Sequence, residues 1–256
     1  MNFKIRHYID LITVLTHKEM KVRYKSTFLG YVWSIAHPLA FAFVFFMAFK
    51  VVMRIQMEGY AVFLIAGLFP WQWFSNSINA SPTIFLHNSS LIKKVNLPRN
   101  ALPLATVLQD SIHFLLAIPV IVLFLFIYHK SPSFSWLYGI PLLLCIQLLM
   151  TYGLCLMIAS INLFVRDLER LAGIGINLLF YFTPIIYPET MIPARYKTLV
   201  LFVNPLSSLM VSWRNLFLDG SLPVLLVFVS FIYSLFILIV GYAIYTKLSW
   251  KFAEVL

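Results

Sequence analysis

Long apolar runs separated by short polar breaks dominate this chain. Five are clear, at about 31–53, 60–81, 102–128, 136–164 and 222–246. Each meets the roughly 20 residues that an α-helix needs to cross the hydrocarbon core of a bilayer. Between 170 and 218 the pattern is interrupted. Residues 171–187 are apolar but end at Thr183-Pro184 and Tyr187-Pro188. Residues 198–217 are broken by Asn204-Pro205 and Ser207-Ser208 and close on Trp213-Arg214-Asn215. The pattern predicts one span at about 170–188, then a re-entrant pair of short helices over 188–217. Non-helical backbone at that depth must be buried in protein or face water, and broken helices of this kind often line a pathway.

The opening residues follow a helical rather than a spanning pattern. At 100° per residue, Ile5, Tyr8, Ile9, Leu11, Ile12 and Leu15 share one arc. Arg6, His7, Asp10, His17, Lys18, Lys21 and Lys25 share the opposite arc, while Glu19 and Arg23 interrupt the apolar one. An amphipathic helix lying on the membrane is expected, with its register clear to about residue 16.

Composition turns these runs into a class. Hydrophobic residues make up 61% of the 256 and charged residues 11%, against about 45–50% and 25% in soluble domains. No soluble fold of this size has enough polar side chains to cover such a chain. A disordered chain, a disulfide-stapled domain and an ordinary nucleic-acid binder are thereby excluded. The net charge of +10 reads as basic cytoplasmic loops facing anionic lipid. With six spans and the N-terminus inside, the inner segments hold 13 Lys and Arg and the outer ones, Arg214 included, hold 5. Both termini are therefore expected in the cytoplasm. Trp33, Trp71, Trp73, Trp136 and Trp250 fall near span ends, where an aromatic belt is expected. Cys145 and Cys155 read as small buried apolar groups.

Enzymatic motifs are missing. The chain has no G-x-x-x-x-G-K-[ST], no H-E-x-x-H, no C-x-x-C and no G-x-S-x-G. It has no energy source of its own, and no metal site is expected. Asp110 and His113, three apart, share a face of the third span. They form either a proton relay or gate contact or a pair that water reaches from the nearby cytoplasmic end. Gln147, Asn162 and Asn177 are expected to join helices. In the loop at 86–101, Leu91, Ile92 and Val95 flank Lys93 and Lys94, and Pro98 stops the segment. A short amphipathic helix is expected there. With no docking face foreseen in its own chain, it would meet a partner or the bilayer.

These residues also form a familiar series. Lys18 through Trp33 with Pro38 resembles the opening signature of ABC-transporter permeases that export polysaccharides. Tyr60 with Gly67-Leu68-Phe69-Pro70-Trp71, the segment Asn88 to Pro103, Asn162 and Arg166-Asp167-Leu168 continue the likeness. Thr183-Pro184-Ile185-Ile186-Tyr187-Pro188, Pro193, Asn204-Pro205-Leu206 and Arg214 complete it. The likeness is strongest to the O-antigen exporters; teichoic-acid and capsule exporters share most of the series.

The resemblance implies an all-α integral membrane subunit of six transmembrane helices, forming one permease domain over 1–256. Residues 1–30 would supply the interfacial helix and gate segment, about 86–97 the coupling helix, and 188–217 the re-entrant periplasmic gate, with Pro184, Tyr187, Pro188, Asn204 and Pro205 at that gate. Leu91, Ile92, Lys93, Lys94 and Val95 would meet the ATPase. The implied partners are a second copy of the chain, two cytoplasmic ATPase subunits holding the ATP and Mg, membrane lipid, and a polysaccharide on undecaprenyl diphosphate. No cofactor is expected on this chain, and no nucleic acid. The implied place is the bacterial inner membrane. Lys21, Arg23, Lys25 and Arg166 would meet the diphosphate by charge-assisted hydrogen bonds. A small-lipid or drug ABC permease, and a stand-alone proton-coupled carrier using Asp110 and His113, stay open as alternatives.

Overall fold

The computed structural model describes residues 3–23, 30–54, 57–95 and 97–255. Every regular element among them is helical. Helix α1 (Phe3–Arg23) is followed, after a 3-10 turn at Gly30–Val32, by α2 (Trp33–Phe46), which continues in wider π-type turns over Met47–Val52. Helix α3 (Tyr60–Ala80) leads through a 3-10 turn into the short α4 (Ile84–His87) and α5 (Ser89–Lys94). Three helices follow: α6 (Ala101–Ile127), α7 (Trp136–Asn162) and α8 (Leu168–Phe182). After a turn at Glu189–Met191 come α9 (Ala194–Val203), α10 (Pro205–Asp219), α11 (Val224–Ser249) and α12 (Phe252–Val255).

Among the described residues, four stretches are long and apolar enough to cross a membrane: Ile35–Val52, Ala101–Ile127, Trp136–Asn162 and Val224–Ser249. The chain is a multi-pass membrane protein. Helix α3 has 21 residues, but Gln72, Ser75, Asn76, Ser77 and Asn79 crowd its second half. It sits among α2, α6, α7, α8 and α10; Ser77 is buried, and Gln72, Ser75, Asn76 and Asn79 line a groove between the helices. Helix α8 has only 15 residues, about 22 Å of rise, which is less than a hydrocarbon core of about 30 Å.

Helices α7 and α11 cross at two glycines. A Cβ on Gly241 would lie 2.0 Å from the Gly153 carbonyl oxygen, and one on Gly153 would lie 2.6 Å from the Leu238 Cα. Only bare backbone permits that approach, as in close membrane helix pairs. The centre of the bundle is an aromatic spine. Trp73 stacks on Phe114 (5.6 Å between centroids), Phe114 meets Trp213 edge-on (5.0 Å), and Trp213 stacks on Phe217 (5.3 Å), which Trp136 caps edge-on (5.0 Å). Each indole N–H of the spine finds an acceptor: Trp73 the Val107 carbonyl, Trp136 the Leu216 carbonyl, and Trp213 the Gln147 side-chain oxygen. The expected tryptophan belt is therefore corrected. Trp71, Trp73 and Trp136 are buried in the protein, and only Trp33 and Trp250 are exposed. Position along a span does not say which way a ring points. Cys155 is buried, but Cys145 is exposed.

A second apolar cluster gathers both termini at one end. Leu15 of α1, Ile92 of α5, Leu102 and Ala105 of α6, Ala159 of α7 and Phe252 of α12 form it. Helix α1 is unbroken to Arg23 and docks on α6, with Met20 extending the buried face beyond residue 16.

Candidate functional site

The segment expected to form the gate begins where α8 stops. Thr183 is extended, with ψ 133°, because the ring of Pro184 disfavours helical backbone in the residue before it. Thr183, Pro184, Ile185 and Ile186 are all buried, so their carbonyls need donors. The Ile185 N–H serves the Thr183 carbonyl, and side chains of α10 and α3 serve the other three. The Arg214 guanidinium donates from Nη2 to the Pro184 (2.7 Å) and Ile185 (2.8 Å) carbonyls. The Tyr60 hydroxyl donates to the Ile186 carbonyl (2.8 Å). The Asn204 amide donates to Thr183 Oγ1 (2.9 Å), while its oxygen accepts from the Leu206 N–H (3.1 Å) and caps α10. Pro205 occupies the first helical position, where its missing N–H is harmless. Tyr187 donates to the Tyr181 carbonyl (3.0 Å). The gate residues expected from sequence thus converge on one structure.

Its organiser was not among them. Arg214, counted among the outer segments from sequence, is 5% exposed. Its guanidinium lies 3.8 Å from the centroid of the Phe63 ring, and Gly67 leaves room for it: a Cβ there would fall 2.7 Å from Nη2. A charge in the apolar run 198–217 was the available signal. Arg214 also lines a cavity of about 600 Å³ with Glu58, Lys130, Glu189 and Asp219.

At the terminal end, Arg23 of α1 forms an ion pair with Asp110 of α6. The other Asp110 oxygen accepts from the Ser77 hydroxyl of α3 (2.8 Å). Asp110 is 2% exposed, which corrects the water-reached reading: both carboxylate oxygens are held by protein. Arg23 interrupts the apolar arc of α1 because that arc faces α6. Lys21 and Arg166 are exposed, and Lys25 lies outside the described residues. His113 is buried one turn away along α6.

The segment expected to couple forms α5, and Asn88 precedes it. Lys18 of α1 donates to the Asn88 oxygen (2.7 Å), and Ile92 packs into the terminal cluster with Leu91 against it. The helix therefore docks on its own chain, correcting the expectation that it had no face there. Lys93, Lys94 and Val95 stay exposed. Of the three intramembrane amides, Gln147 donates to the Pro70 carbonyl (2.8 Å) and Asn162 to the Pro82 carbonyl (2.9 Å). Asn177 instead lines a groove of about 340 Å³ between α2, α3 and α8. The rings of Phe41, Phe45, Trp71, Phe180 and Tyr181 and the amides of Gln72, Asn76 and Asn79 complete that groove. The Gln72 side-chain oxygen is buried with no hydrogen-bond partner among the described residues.

Residues 10–218 match the ABC-2 type transporter family. The chain belongs to that family. It is a transporter permease rather than an enzyme. It is 45% identical over 256 residues to an O-antigen export system permease protein of Klebsiella pneumoniae, covering 100% of this chain and 98% of that one. A protein of the same name from Myxococcus xanthus is 31% identical over 221 residues (86% and 85% covered). The polysialic acid transport protein of Escherichia coli is 25% identical over 201 residues (76% of each).

Proposed function

We propose that this permease exports an O-antigen-like polysaccharide carried on undecaprenyl diphosphate across the bacterial inner membrane. The observation that carries the reading is the end-to-end likeness to O-antigen export permeases. Helices α2, α3, α6, α7, α8 with its extended continuation, and α11 make six spans with both termini cytoplasmic; α9 and α10 form the re-entrant periplasmic pair. Two copies face each other, and their α2–α3–α8 grooves form the conduit. Rings offer apolar faces to sugar C–H groups, and amides pair with hydroxyls. Many weak contacts suit a polymer that must keep moving. The gate segment closes the periplasmic end in the resting state. Lys21, Lys25 and Arg166 draw the diphosphate to the inner surface, while Arg23 is held by Asp110.

Two ATPase subunits, which hold the ATP and Mg, dock on α5 through Lys93, Lys94 and Val95, with Leu91 and Ile92 seating the helix on the permease. Coupling is as large as the difference in docking energy between two conformations. The test is affinity purification from mild detergent together with the ATPase, followed by export of lipid-linked glycan into vesicles. The complex should hydrolyse ATP and deliver glycan. Val95→Asp, at an exposed site, should leave the permease folded and lower ATPase recovery by at least about tenfold, or ~1.4 kcal/mol of docking. Undiminished recovery with Val95→Asp would remove α5 from the interface, and a permease that purifies alone and exports nothing would sink the reading.

A further inference from the structure

A second polar cavity, of about 280 Å³, opens between α1, α3, α4 and α6 beside the Arg23–Asp110 pair. It adjoins the ring-lined groove, because Asn76 lines both. Its charged lining is Arg23, Glu19 and Asp110, with the imidazole of His87 beside them. Arg23 is held by Asp110, and Glu19 pairs with Lys18 (3.0 Å). The rest of the polar lining is amide and hydroxyl, chiefly Asn76, Asn88, Gln109 and Thr106. With both carboxylates already paired, an anion here would have to draw Arg23 from a buried carboxylate, which is costly. A neutral polyol meets donors and acceptors in both senses without displacing any charge.

We infer that this cavity is a binding site for an uncharged sugar residue at the inner mouth of the conduit, and not a seat for the diphosphate. The inference rests on the export reading and deepens it. The sugar lies over Gln109 and Thr106 and passes across Asn76 into the groove. The paired Arg23 and Asp110 form a charge-neutral floor. The diphosphate stays outside, with the exposed lysines of the membrane surface.

The experiment uses the permease–ATPase complex in nanodiscs, with Cys145→Ser and a reporter cysteine at Ala80, an exposed residue of the cavity wall. The rate of maleimide labelling is measured with two probes. One is neutral oligosaccharide released by mild acid from the source bacterium's lipid-linked glycan; the other is inorganic diphosphate. The oligosaccharide should slow labelling roughly fivefold at about four times its Kd, where one site in five stays empty. Diphosphate should not slow it, and Gln109→Ala should abolish the protection. Thr106→Cys reports from the facing wall should Ala80→Cys not assemble. Protection by diphosphate alone overturns the inference in favour of an anion site. Absence of protection by either probe, in a complex that still exports, overturns it as a ligand site. A complex without export or ATP hydrolysis in the parent fails the function reading instead.

Discussion

Replacing Gly67 by alanine should damage the permease more than replacing Arg214 by leucine, although alanine is the better helix former by about 1 kcal/mol. The added Cβ would fall 2.7 Å from Arg214 Nη2, the nitrogen that serves both the Pro184 and the Ile185 carbonyls. The guanidinium must then shift off these acceptors toward the cavity it lines with Glu58 and Glu189. The two stranded carbonyls each carry a desolvation penalty of about 1–3 kcal/mol, and the guanidinium loses their hydrogen bonds. Arg214→Leu strands the same carbonyls but also removes the charge, whose burial is itself expensive. Those two changes largely cancel in stability. The expected results differ accordingly. Gly67→Ala should lower Tm by several degrees, since 1 kcal/mol moves a domain of this size by about 2–4 °C. Arg214→Leu should lie near the parent in Tm. Both should free the gate segment and raise ion leak in vesicles severalfold. Parent-like leak in Arg214→Leu would show that the segment is closed by something other than this arginine.

Four of the expected spans were legible because about 20 apolar residues in a row leave little else to predict. The break between α9 and α10 was legible for a local reason: Asn204-Pro205 is both a cap and a helix start. What sequence could not supply was direction. Trp73 and Trp33 look alike at span ends, yet one is 2% exposed and the other 45%. The apolar run to residue 187 overstated α8, because the helix ends at Phe182 under the influence of Pro184. Long-range pairs were the least accessible. Lys18 and Asn88 are 70 residues apart and Arg23 and Asp110 are 87 apart. Even so, the second pair left a trace: Arg23 sits on an apolar arc where a lipid-facing helix would not tolerate it.

That pair gives the second large effect, and it is asymmetric. Asp110 is enclosed, whereas the Arg23 side chain is 38% exposed. Arg23→Ala leaves a buried carboxylate with only the Ser77 hydroxyl. Removing one partner of a fully buried pair costs about 3–5 kcal/mol, and the exposure of Arg23 reduces this to roughly 2–4. Asp110→Asn leaves an arginine that turns to water, at little cost, and an amide that still accepts from Ser77. Arg23→Ala should therefore cut export at least about tenfold, with ATP hydrolysis by the partner retained because α5 remains seated through Ile92. Asp110→Asn should export at about half the parent rate or better. The double substitution should recover most of the loss, because the carboxylate no longer needs a counter-ion; such non-additivity is the mark of direct contact. A proton-coupled carrier predicts the opposite order, with Asp110→Asn abolishing transport on its own and no rescue in the double variant. Export by the four proteins, normalised to the amount in the membrane, separates the two. If Asp110→Asn proves the more damaging, the carboxylate handles protons; if Arg23→Ala does and the double variant recovers, it anchors the first helix to the bundle.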